Sequence, residues 1–140
     1  MDRLICTYVH AADHDDDFGW LAFEVITHDF SARSGFWVHW RDVADFAADL
    51  SRYPIAPDDP VRARWGFETL QGDDLILGLE IAAANRRGGL VARVEVADHL
   101  CPRHRLRTSF ATSYAAVAAF AAALSAVVAR TADAAVLSGE

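Results

Sequence analysis

Apolar and polar residues alternate along most of this chain, and a period of two residues is typical of β-strands that bury one face. The predicted strands cover residues 4–9, 21–28, 36–40, 61–68, 75–82, 90–96 and 105–111. Turn sequences such as LQGDD and NRRGG separate consecutive strands, and short connections favour antiparallel neighbours. The pattern therefore predicts one antiparallel sheet of about seven strands.

Two segments have the period of an amphipathic helix instead. The apolar stripe of the first is Val43, Phe46, Ala47 and Leu50, and that of the second is Val117, Phe120, Ala121, Leu124 and Val128. Asp42 is the predicted N-cap of the first helix, and Thr112 or Ser113 that of the second. The predicted fold is α+β, with element order βββα-ββββα and both helices on one face of the sheet. Residues 131–140 are predicted to be a frayed tail.

The two helical segments have nearly the same sequence, VADFAADLS in the first and VAAFAAALS in the second. The matched pairs include Phe36 with Phe110, Val43 with Val117 and, further upstream, Leu21 with Leu90. One interpretation is an internal ββα repeat with pseudo-two-fold symmetry between the halves 1–53 and 61–130. The other is that any two amphipathic helices after a hairpin look alike in an alanine-rich protein.

The second helix lies in a segment without charged residues, from Thr108 to Ala129, which is long enough to cross a bilayer. Its many alanine and hydroxyl residues favour a buried helix instead, so no membrane association is expected. Such a helix needs a cover, which the proline-rich loop, the C-terminal tail or a second subunit would provide. Ala115, Ala119 and Ala122 permit the close helix approach of a homodimer.

Composition narrows the class of protein. A chain of 140 residues that is 53% hydrophobic fits a single domain, 1–140, with a substantial core. The net charge of −7 argues against nucleic acid and anionic membranes as partners and favours a basic protein. The N-terminal residues lack the pattern of a signal peptide, so we expect a cytoplasmic protein in which Cys6 and Cys101 are free thiols.

The loop sequence DHLCPRH places three candidate zinc ligands within six residues: His99, Cys101 and His104. Their spacing is not that of a closed structural zinc site, so an ordinary hairpin loop is the other interpretation. The first interpretation predicts a small metal-dependent enzyme, whereas the second needs no cofactor. The acidic segment HAADHDDD lacks the ligand pattern of an EF-hand and is predicted to be a solvated loop.

No catalytic residue is assigned, because the chain has no nucleophile elbow, P-loop or glycine-rich dinucleotide turn. His28 and His39 are predicted on neighbouring strands, where they can approach each other. Arginines alternate on two strands, and they predict a basic stripe on the outer sheet face, paired with Glu68, Glu80 and Glu95. The arginines concerned are Arg62, Arg64, Arg103, Arg105 and Arg107. Either structural ion pairs or ligand recognition explains them.

The segments FSARSGFWVHWRDVADFAADL, WGFETLQGDDLILGLEI, GGLVARVEV and RTSFATSYAAVAAFAAAL resemble small uncharacterised bacterial families. Some of these families are grouped with immunity proteins of polymorphic toxins, including one for the wall-associated toxin. The resemblance covers roughly Trp20 to Ala129 and implies a non-enzymatic module that binds and occludes a basic protein. The candidate binding residues are Asp42, Asp45, Asp49, Trp37, His39, Arg105 and Arg107, with Trp20 a further interface candidate. A homodimeric accessory protein is the remaining alternative.

Overall fold

The computed structural model describes residues 1–13 and 16–140. Its elements in chain order are β1 (Arg3–His10), β2 (Phe18–Thr27), β3 (Phe30–His39), α1 (Trp40–Asp49), β4 (Val61–Gly66), β5 (Leu75–Ala83), β6 (Leu90–Ala97), β7 (Arg105–Thr112), α2 (Tyr114–Val128) and β8 (Ala135–Ser138). A short 3₁₀ turn, Gly72–Asp74, precedes β5. All seven predicted strands and both predicted helices are present.

The strands form two antiparallel sheets of four, ordered β3-β2-β1-β8 and β4-β5-β6-β7. The α+β class is confirmed, but the prediction of one seven-stranded sheet is wrong. Alternation along a strand determines which side chains face the core, and it leaves open which edges pair. Here β4 follows α1 and pairs with β5, so β4 to β7 form a sheet of their own.

The C-terminal tail is not frayed along its whole length, since Ala135–Ser138 form β8 on the free edge of β1. Ala135 and Leu137 are fully buried and Val136 points outward, which is the alternation of a half-buried strand. Strand β8 also packs against α2. The tail is therefore one cover of the helix that lacks charged residues.

The strand order makes the two halves topologically equivalent. Each half runs βββαβ, and the strand after each helix joins the sheet of the other half: β4 pairs with β5, and β8 with β1. The register corrects one predicted match. Leu21 lies opposite Phe36, whereas Ala92, not Leu90, lies opposite Phe110. A shift of two residues keeps the same side chains inward. The pseudo-two-fold axis stays a prediction.

One hydrophobic core contains the inner faces of both sheets and the apolar stripes of both helices. The predicted stripe of α1 is buried, and that of α2 is buried through Leu124, but Val127 replaces the half-buried Val128 at its end. Helix α2 begins after Ser113, whose hydroxyl accepts a hydrogen bond from the Ala116 amide. Within the described part of the chain, no helix has both the length and the apolarity to span a bilayer.

Candidate binding surfaces

An exposed aromatic cluster lies where β2 and β3 meet the start of α1. Strand pairing places Phe18 opposite His39 and Trp20 opposite Trp37. The rings meet edge to face, with centroids 5.4 Å apart in the first pair and 5.5 Å in the second. Trp37 is 56% exposed and Phe18 is 46% exposed. Two large aromatic side chains thus present apolar surface to solvent. Trp37 is a candidate binding residue from the sequence, whereas Phe18 was not singled out there.

His39 is the N-cap of α1, so the prediction of Asp42 as the cap is wrong. The His39 Nδ1 accepts a hydrogen bond from the Arg41 backbone N–H at 3.1 Å. The helix begins three residues earlier than predicted because β3 continues into it without a loop. Asp42 lies in the first turn, where the helix dipole favours a carboxylate.

Asp17 connects the end of the acidic loop to the same place. Its Oδ2 lies 3.4 Å from the His39 Nε2, and its Oδ1 accepts a hydrogen bond from the Trp40 indole N–H at 3.4 Å. The Asp17 backbone carbonyl accepts from the Trp40 backbone N–H at 3.0 Å. We call the group Asp17, Phe18, Trp37, His39 and Asp42 the α1 corner. The contacts of His39 with Asp17 and Phe18 fix the end of the acidic loop against the start of α1.

A negative potential at the α1 corner affects a buried neighbour. The Tyr8 hydroxyl donates a hydrogen bond to the Val38 carbonyl at 2.8 Å. Burial, followed by the charges of Asp16, Asp17 and Asp42, raises the pKa of Tyr8 to about 12. Among the described residues, Asp42 and its helical neighbours Asp45 and Asp49 form no salt bridge, and all three are exposed. The exposed face of α1 therefore carries three aspartates against one arginine, Arg41, and is net acidic.

A depression of about 350 Å³ borders this corner between β3 and β4. Trp37, His39 and Asp42 line one side, and Arg64 and Trp65 from β4 line the other. The depression gives the corner a concave surface next to its exposed indole. A partner side chain can therefore insert beside Trp37.

The predicted arginine stripe lies on the outer face of the second sheet, with most of the expected glutamate partners. Glu80 bonds Arg62 and Arg93, each at 2.7 Å. Glu95 pairs with Arg105 and, at 3.3 Å, with Arg107. These pairs hold the pKa of Glu80 below its ordinary value, with the Arg62 hydrogen bond the largest cause.

Individual members of the stripe differ in exposure. The Arg105 side chain is only 10% exposed and also donates a hydrogen bond to the Pro102 carbonyl, whereas the Arg107 side chain is 73% exposed. Arg103 lies in the loop before β7 rather than on the strand, and Glu68 has no ion pair within residues 1–13 and 16–140. Arg105 thus serves the fold, and Arg107 is accessible to a partner.

The candidate zinc ligands occupy the loop between β6 and β7 but are not brought together. The His99 ring packs edge to face against Trp20, with centroids 5.0 Å apart, while Cys101 is half-buried and His104 is exposed. No group of three or more His, Cys, Asp or Glu residues in the described part of the chain is placed to hold a metal ion. The loop instead extends the aromatic cluster through His99.

Other predicted site residues are dispersed. His28 lies in the β2–β3 turn and His39 at the opposite end of that hairpin, so the two histidines do not meet. Cys6 is buried, which raises the pKa of its thiol, and both cysteines are free. His14 and Asp15 of the acidic segment lie outside the described residues.

No protein-family model, no curated protein and no solved structure matches this chain. The predicted relation to toxin immunity families therefore stays a prediction.

Proposed function

We propose that this protein is a non-enzymatic binding module whose α1 corner docks onto a basic protein. The observation that carries the proposal is the exposed Trp37 indole, which lines one depression with Asp42, a carboxylate that forms no salt bridge within residues 1–13 and 16–140. Tryptophan is among the residue types most enriched in the hot spots of protein interfaces. An exposed indole held in place by Trp20 is a ready anchor for such an interface.

Charge gives the corner its preference for a basic partner. Asp17 and Asp42 lie at the corner, and Asp45 and Asp49 continue the acidic surface along α1. Like-signed charges on one surface steer an oppositely charged protein and accelerate its association. Trp37 would therefore contribute mainly to the lifetime of the complex, and the three helical aspartates mainly to its rate of formation.

The role that fits this chemistry is occlusion, as in an immunity-like protein that covers the working surface of a basic partner such as a nuclease. An occluding protein needs a rigid surface of the correct charge and no catalytic group of its own. The corner is supported by two paired strands and a capped helix, which supply that rigidity. A homodimer through Ala115, Ala119 and Ala122, which are exposed on α2, is a second way in which this module can assemble.

Affinity capture from the lysate of the host tests the proposal. The immobilised baits are the unchanged protein, Trp37→Ala, the triple variant Asp42→Lys/Asp45→Lys/Asp49→Lys, and Phe30→Ala as the control. Phe30 is an exposed aromatic residue at the far end of the same hairpin. We expect a basic protein that the unchanged chain and Phe30→Ala retain and that Trp37→Ala loses.

Kinetics with the captured protein then separate the two contributions. The triple charge reversal should lower the association rate by about tenfold or more and remove most of its salt dependence. Equal binding by all four baits would show that the α1 corner is not the docking surface. Light scattering of the unchanged chain and of Ala119→Arg tests the homodimer, which the substitution should dissociate.

A further inference from the structure

The outer face of the second sheet contains a groove of about 430 Å³, which shares Arg64 alone with the depression beside the α1 corner. Arg62, Glu80 and Arg93 cross three strands in one row, and Arg64, Gly78 and Glu95 cross the same strands in the next. Arg107 on β7 completes the second row. The volume falls in the range of about 300–1,000 Å³ that is typical of small-molecule sites.

Positive charge exceeds negative charge in this groove, although the whole chain is acidic. Four arginines and two glutamates line it, so two positive charges are not neutralised. Each glutamate is already shared, Glu80 by Arg62 and Arg93, and Glu95 by Arg105 and Arg107. Arg64 has no carboxylate partner in the described part of the chain. The groove therefore favours an anion.

Gly78 opens the floor of the groove beside Arg64. A Cβ built on Gly78 would lie 3.5 Å from the Leu75 Cδ2 and 3.6 Å from the Glu95 Cβ, which is ordinary van der Waals contact. The fold thus has room for a Cβ on this inner strand, and glycine there weakens the strand. A glycine that packing does not require is typical of a position where a ligand approaches the backbone closely.

The arginines keep donors for a ligand while their glutamate partners fix them in place. A guanidinium has five N–H donors, and one carboxylate cannot use them all. The side chains of Arg62, Arg93 and Arg107 are each more than half exposed. Bonds to Glu80 and Glu95 hold these exposed groups around the Gly78 notch, which reduces the entropy that binding would cost.

We infer that this groove binds a small organic anion, with a phosphate or carboxylate group seated on Arg64 over Gly78 and held by the neighbouring arginines. Guanidinium groups match both anions because they offer two parallel N–H donors. A nucleic acid is large enough to experience the overall charge of −7, which repels it. A small anion in the groove experiences mainly the local positive charge of the arginines.

Amide NMR titrations at constant ionic strength test this inference, with inorganic phosphate, pyrophosphate and citrate as probes. We expect saturable shifts at residues 62–64, 78–80, 93–95 and 107–109. Arg64→Gln should weaken binding by about tenfold, because one charge-assisted interaction is lost. Gly78→Ala adds a Cβ that makes ordinary van der Waals contacts and narrows the notch, so binding should fall without loss of thermal stability.

Arg87→Gln is the matched control, since Arg87 is an exposed arginine in the β5–β6 turn outside the groove. It should bind the probes as the unchanged protein does, and the amide spectrum of each variant reports its folding. Tighter binding of pyrophosphate assigns a phosphorylated ligand, and tighter binding of citrate assigns a carboxylate. Shifts that do not saturate, or that Arg64→Gln and Gly78→Ala leave unchanged, would overturn the inference.

Discussion

Leu137 lies directly opposite Leu4 in the pairing of β8 with β1, and neither side chain is accessible to solvent. The C-terminal strand therefore belongs to the core of the first sheet, even though the chain reaches it only after completing the second. This exchange of terminal strands ties the two halves together: β4 contributes to the second sheet and β8 to the first.

Truncation of Leu137 should destabilise the protein strongly. Leu137→Ala removes buried methyl groups and leaves a cavity, so the free energy of unfolding should fall by about 2–5 kcal/mol in urea denaturation. Val136→Ala is the control, because Val136 lies on the same strand and is substantially exposed. That substitution should change the stability by only about 0.5 kcal/mol. Equally small effects would show that β8 does not pair with β1.

The sequence predicts the strands well because each buried face leaves a period of two, as in Leu75–Ala83 and Leu90–Ala97. It does not predict their division into two sheets, which depends on which strand β4 pairs with after α1. Strand β8 was missed because its alternation covers only Ala135–Ser138 and resembles a loose tail. Local pattern determines the elements, and long-range pairing determines how they assemble.

The sequence indicates which residue types belong to the candidate surfaces, but it does not show which residues lie beside them in the fold. Trp37 and Asp42 were selected from the sequence, but Asp17 and Phe18 join them only through the register of β2 with β3. From the sequence alone Gly78 receives no role in a site, because it occupies one outward position of an ordinary alternating strand. Its signal was a glycine at an outward position of an otherwise regular strand, between two arginine-bearing neighbours.

His39 should contribute to stability as a helix cap. His39→Ala removes the acceptor of the Arg41 amide and should lower the free energy of unfolding by about 1 kcal/mol. His39→Asn keeps a side-chain acceptor at the N-cap and should retain most of that stability. Urea denaturation of the three proteins measures both effects. If the asparagine variant is as unstable as the alanine variant, ring contacts with Phe18 outweigh the cap.

Glu80 should make the second sheet sensitive to acid. Its pKa is lowered from 4.5 because Arg62 and Arg93 stabilise the carboxylate in the folded protein. The stabilisation is therefore fully present above pH 4.5 and is lost as the pH falls through the lower, folded pKa.

Glu80→Gln should flatten the decrease of stability between about pH 5 and pH 3, because the amide does not titrate. Urea midpoints across this range measure the difference. Glu68→Gln serves as the control, since Glu68 is exposed and forms no ion pair among the described residues. A Glu80→Gln curve as steep as that of the unchanged protein would show that the arginine pairs contribute no acid-labile stability.

Tyr8 offers a direct measurement of the potential at the α1 corner. Its pKa is raised from 10.0 to about 12 by burial and then by Asp16, Asp17 and Asp42. The folded protein favours the neutral phenol, so this stabilisation is fully present below pH 10.0 and is lost as the pH rises through about 12. Asp42→Asn removes one of the charges and should move the Tyr8 pKa downward, towards its ordinary value.

A pH titration of the resolved tyrosine ring signals by NMR measures this shift. Asp49→Asn is the matched control, because it removes the same charge from α1 at a residue that is not among the causes of the raised Tyr8 pKa. We expect the Tyr8 titration to move in Asp42→Asn and to stay in place in Asp49→Asn. Because salt screens exposed charges, the shift should shrink as the ionic strength rises. An equal shift of the Tyr8 pKa in both variants would mean that the negative potential is spread over α1 rather than concentrated beside Trp37. In that case the charge reversals on α1 would test docking better than Trp37→Ala does.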